Sequence, residues 1–253
     1  MYVFESLLIA LSMYSKIPVP RVEWNEKNMK YAMCFFPVIG VVTGILEIAI
    51  GRVLLRAGAG SLLFAAAMTL LPVLVTGGIH IDGLMDTLDA LGSYGGREKK
   101  LEILKDPHTG AFAVLGLCCY LLWSVAVWSE AAADMLPVIG CGYVTSRALS
   151  GLSVVTFKAA RDSGLARTFQ DGAGRKTVGI VMIIVLLMSI ALSLRLDVRM
   201  GAASAAAGLL SFCYYKAVCY RQFGGITGDL AGYFLQICEL AILTCTVLAG
   251  RLL

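Results

Sequence analysis

Charge is scarce in this sequence. Its 21 basic and 17 acidic residues make up 15% of 253 positions, against about 25% in an ordinary soluble domain. A soluble fold of this length needs a polar shell, and so few charges among long apolar runs cannot furnish one. With 58% hydrophobic residues, the composition argues against a soluble globular protein and against disorder. A net charge of +4 is too small to mark a nucleic-acid-binding protein. Cysteine is present eight times, but no two residues form a C-x-x-C pair and nearly all lie inside apolar runs. They read as small apolar membrane residues, not as a disulfide framework or zinc site. Met1–Pro20 carries Glu5 in its apolar run and lacks a basic n-region and a small-residue cleavage site, so it reads as a helix and not as a secretory signal.

What the chain has in quantity is long apolar runs. A spanning helix needs about 20 largely apolar residues. Seven stretches meet or approach that length: 31–54, 61–79, 110–128, 135–156, 178–194, 201–218 and 228–250. The expectation is an all-α, polytopic helical membrane protein with about seven transmembrane helices, forming one domain over residues 1–253. Residues 1–17, ended by Pro18 and Pro20, form an additional amphipathic or re-entrant helix. The loops 16–30, 97–105, 157–177 and 216–227 hold 15 of the 21 basic residues, and Arg147 alone sits deep inside a span. The positive-inside rule places those loops in the cytoplasm. The opposite loops are very short, so polar chemistry is expected on the cytoplasmic face.

The most informative stretch is Thr76–Gly92, which contains Asp82, Asp86 and Asp89. On a helix these positions fall within about 60° of one another, as a stripe of carboxylates. Like charges at the end of an apolar span are costly, and a bound cation relieves them. Oxygen ligands select a hard ion, and magnesium is the usual one when a phosphate completes the shell. His80 precedes the stripe and reads either as a structural hydrogen-bonding residue or as a base. Gly77 and Gly78 mark a break between span and acidic helix.

Three further clusters follow. Lys105, Asp106 and His108 sit on a Pro-Gly turn at the mouth of the third span and suit a phosphate-contacting loop. Phe157–Phe169 is a basic loop containing Arg161 and Ser163-Gly164. Asp229 opens the last span beside glycines, either as a helix cap or as a chemical group. Gln236 lies seven residues on, and Glu239 about 15 Å along the helix. A buried acid such as Glu239 is a functional candidate by default, as are Glu47 and Glu5 less sharply; Glu239 either pairs with a buried cation such as Arg147 or binds a substrate amide.

These elements, in this order, resemble the cobalamin synthase family, the adenosylcobinamide-GDP ribazoletransferases. The matching residues are Lys16–Pro20, Phe36–Gly40, Gly77–Asp89, Leu101–Asp106, Ala160–Leu165 and Gly224–Asp229. The resemblance covers nearly the whole chain. Ala90 stands where a glycine is usual and Lys16 where an arginine is usual. The resemblance implies a magnesium-dependent enzyme of a bacterial or archaeal cytoplasmic (inner) membrane. Its expected substrates are adenosylcobinamide-GDP and α-ribazole, or α-ribazole 5′-phosphate. They join with release of GMP, and the partners are substrates and membrane lipid, with no nucleic acid and with homo-oligomer formation left open. Asp82, Asp86 and Asp89 are assigned to Mg2+. One of them, Asp229 or His80 takes the proton from the ribazole 3′-hydroxyl. Lys105, Asp106, Arg161, Gln236 and Glu239 are assigned to substrate. A CDP-alcohol phosphotransferase or prenyltransferase would show other aspartate motifs, and an ion-coupled transporter would spread its acids along a path through the membrane.

Overall fold

The computed structural model describes residues 2–161 and 174–252. Among them the architecture is helical, with one isolated parallel bridge between Ala159 and Ile226. The elements are α1 (Tyr2–Tyr14), α2 (Glu26–Met29), α3 (Phe36–Arg56), α4 (Ser61–Thr76), α5 (Ile79–Gly92), α6 (Arg97–Ile103), α7 (Ala111–Trp128), α8 (Leu136–Thr156), α9 (Arg175–Leu196), α10 (Val198–Val218) and α11 (Gly228–Leu252). Six helical stretches are long and apolar enough to cross a membrane, those of α3, α7, α8, α9, α10 and α11. The seventh expected span begins as α4. Gly77 and Gly78 then take φ of +68° and +82°, left-handed values that glycine adopts without a Cβ penalty. The chain turns through 98° into α5, which lies across the end of the bundle against α7 and α11. The break expected at Gly77-Gly78 is therefore present, and it re-aims the acidic helix.

α8 is the central post, packed by α3, α9, α10 and α11, with 16 of its 21 residues buried. Its approach to α3 depends on glycine. A Cβ at Gly40 would stand 2.5 Å from the Tyr143 carbonyl oxygen, and one at Gly44 would stand 2.5 Å from that of Gly140. Small residues are how apolar helices touch backbone to backbone in lipid. Leu62, Leu74, Leu122, Leu187 and Leu210 point outward and are exposed, as a lipid-facing surface requires. α1 is too short to span. Thirteen residues rise about 20 Å, short of a hydrocarbon core of about 30 Å. α1 instead packs on the turn Ala32–Phe35 and on α3, and Lys16 donates its N–H to the Val75 carbonyl at 2.8 Å. It thus closes over the end of the bundle where α5 lies.

Candidate active site

α5 meets the head of α11 through glycine. A Cβ on Gly83 would lie 2.6 Å from the Asp229 carbonyl oxygen, and one on Gly232 would lie 3.2 Å from that of His80. The two backbones touch, so Asp82 and Asp86 come beside Asp229. Half-buried Asp86 records the crowding. Its carboxyl is pushed up to about 6, first by burial and then by Asp82, Asp229 and Asp89. Asp229 is not the helix cap. Thr227 is, since its hydroxyl oxygen accepts the Leu230 N–H at 3.2 Å while the hydroxyl donates to Asp229 Oδ2 at 3.4 Å. Asp89 has a second duty. Its oxygens accept the N–H groups of Gly110 and Ala113, the latter at 3.0 Å, which pins the start of α7 to α5.

Beneath these acids lies a cavity of about 270 Å³. α1, α3, α5, α8 and α11 wall it, chiefly with apolar side chains such as Met33, Phe36, Val154 and Leu235, and Asp82 and Asp229 are part of the lining. His80 also lines it. Its ring lies stacked 6.3 Å from Tyr14 and edge-on 6.0 Å from Phe36. Its Nε2 is buried with no hydrogen-bond partner.

The remaining candidates divide. Arg161 donates to the Leu101 carbonyl of α6 and attracts Asp229, so it belongs to the acidic corner. Lys105 and Asp106 are exposed and lie outside the cavity wall. Asp106 accepts the His108 N–H at 2.9 Å and pairs with its ring at 2.7 Å. These bonds hold the Asp106 carboxyl below its ordinary value. Gln236 and Glu239 sit deeper in α11. Gln236 accepts from the Tyr120 hydroxyl at 2.7 Å. Glu239 is ion-paired to Arg147 at 2.6 Å and accepts from Ser146 at 2.9 Å. The pairing of Glu239 with Arg147 anticipated in sequence is what the structure holds. Ser163-Gly164 lies outside the described residues.

A model of the family described as cobalamin-5-phosphate synthase matches residues 6–247 of this chain. The chain belongs to that family. Among curated members, the adenosylcobinamide-GDP ribazoletransferase of Lachnoclostridium phytofermentans is 46% identical over 96% of this chain and 94% of its own length. The enzymes of the same name from Clostridium perfringens and Treponema denticola are 34% and 31% identical, over 93% and 95% of this chain and 94% and 96% of theirs. No solved structure matches the chain. Membership identifies the chain as a transferase of cobalamin synthesis built from membrane-spanning helices. Sequence reading missed the parts of the candidate site that carry no charge. Tyr14 and Phe36 look like ordinary apolar-helix residues, and only the inclusion of Phe36 in the Phe36–Gly40 match hinted at a role. Thr227 was legible in principle, as a threonine three residues before Leu230 at a helix start.

Proposed function

We propose that this chain joins adenosylcobinamide-GDP to α-ribazole, or to its 5′-phosphate, and releases GMP. The ribazole 3′-hydroxyl attacks the phosphorus bonded to cobinamide. The bond from that phosphorus to the bridging oxygen breaks, GMP leaves with the oxygen, and the hydroxyl proton passes to a base. The observation that carries the reading is an apolar cavity whose lining includes Asp82 and Asp229, with Asp86 crowded beside them. An apolar chamber keeps water from the diphosphate, and phosphoryl transfer is mainly positioning and electrostatics.

The donor set fits a hard divalent cation. It is made of carboxylate oxygens, and mutual repulsion raises Asp86. Among the described residues no three His, Cys, Asp or Glu side chains are grouped closely enough to hold an ion, so the carboxylates would share it with substrate phosphates and water, as magnesium usually does. Asp82, Asp86 and Asp229 would hold the ion, with Asp89 behind them anchoring α7. Bound there, magnesium supplies charge neutralisation at the diphosphate and at the GMP leaving group. Asp229, free of the capping role, would accept the hydroxyl proton. Arg161 adds positive charge at the same corner. By the positive-inside rule this end of the bundle would face the cytoplasm from a bacterial or archaeal inner membrane.

The test is turnover. Purified protein in lipid vesicles, given adenosylcobinamide-GDP, α-ribazole and Mg2+, should release one GMP per joined corrinoid product. GMP release without that product, or no release at all, would refute the proposal.

A further inference from the structure

His80 sits in an unexpected place for a polar ring. It is 4% exposed, lies against Tyr14 and Phe36, and leaves Nε2 buried without a partner. A buried polar nitrogen without a hydrogen bond costs free energy, and a ligand that supplies the missing partner recovers it. The cavity beside it, about 270 Å³, is at the small end of ligand pockets, which run from about 300 Å³ upward. A corrin macrocycle with its amide arms does not fit. A flat bicyclic base does, and aromatic walls suit ring stacking. Guanine brings an amide and an amino group and asks for several polar partners. A benzimidazole asks for one, at its free ring nitrogen.

We infer that this cavity receives the base of ribazole, a benzimidazole ribonucleoside. The ring enters beside the wall formed by Tyr14 and Phe36, whose rings pack on each other at 4.5 Å, with Leu235 also lining the cavity, and its free nitrogen accepts a hydrogen bond from His80 Nε2–H. The ribose is left at the mouth beside Asp82 and Asp229, and the corrinoid stays outside. The inference rests on the transfer reaction proposed above and adds which substrate enters and which residue recognises it. His80 then selects the base and does not move the proton.

The test compares two α-ribosides in the full-length protein in vesicles: that of 5,6-dimethylbenzimidazole and that of the matching indole, in which C–H replaces the free nitrogen. For the native chain the indole riboside should show a KM about tenfold higher, the worth of one buried hydrogen bond. H80F should raise the KM of the benzimidazole riboside by a similar factor, remove the discrimination, and leave the KM for adenosylcobinamide-GDP unchanged. Should H80F not fold, V154F, which fills the cavity from α8, should raise the ribazole KM alone. Equal use of both ribosides by the native chain would overturn the assignment. So would discrimination that survives H80F, or a KM effect confined to adenosylcobinamide-GDP, which would put guanine in the cavity. Absence of GMP release by the native chain with both natural substrates is a separate result, and it would refute the transfer reaction and this inference together.

Discussion

Gly83→Ala should cripple the enzyme without removing a single functional group. The new Cβ would stand 2.6 Å from the Asp229 carbonyl oxygen and 3.1 Å from its Cα. Ordinary contact begins at 3.4 Å, so α5 and α11 must separate by about 0.8 Å. The obstructing atoms are backbone, so no side chain can swing aside. That displacement moves Asp82 and Asp86 away from Asp229, and a misplacement of about 1 Å in a catalytic constellation costs on the order of 10²-fold. The assay is GMP release per mole of vesicle-inserted protein, with thermal unfolding in detergent as a check on folding. Gly60→Ala is the control, because a Cβ there meets nothing within 4 Å and it sits at the opposite end of α4. A folded Gly83→Ala protein with near-native turnover would show that close contact between α5 and α11 is not what builds the site.

Three other outcomes follow from the same geometry. Asp89→Ala removes the acceptor for two N–H groups at the start of α7 and should cost about 1 kcal/mol of stability, read as a lower Tm. Glu239→Gln leaves Arg147, which is 0% exposed, without its counter-charge; the expected loss is about 3–5 kcal/mol, and magnesium should not restore the activity. Asp86 holds its proton up to about pH 6 instead of 3.8, so its ionised form opposes folding above about pH 6 and that opposition fades as pH falls toward 4. Divalent-ion binding must expel that proton, so apparent magnesium affinity should fall as pH drops through 6, and Asp86→Asn should flatten the profile.

The spans were legible because lipid demands long apolar runs, and the break at Gly77-Gly78 because glycine pairs interrupt helices. The stripe of Asp82, Asp86 and Asp89 was legible because helical spacing is local. What the stripe does was less so. Asp89 bonds to amides 21 and 24 residues away, and that contact depends on how α7 is laid against α5. The convergence of Asp82 with Asp229 depends on the touching of Gly83 and Gly232 with the opposite backbones, which no periodicity reports. Whether α1 lies in the interface or re-enters is not legible, since Glu5 and Lys16 suit both. Its place over the cavity comes from tertiary packing of Tyr14 against Phe36 and His80, and in sequence Tyr14 looks like any residue of an apolar helix. The π-helical turn Cys219–Phe223 and the pairing of Ala159 with Ile226, which shape the approach to Asp229, had no sequence signal.

The account stands on the acids of α5 and α11 forming one cation site, and the most direct measurement is Mn2+ binding, followed by electron paramagnetic resonance, to the native chain, Asp82→Asn, Asp229→Asn and the double variant. Each single substitution should weaken binding by about tenfold or more, and the double variant should be little worse than either single one, because groups sharing a ligand are not additive. Native-like binding in either single variant, or losses that simply add in the double, would contradict a shared site.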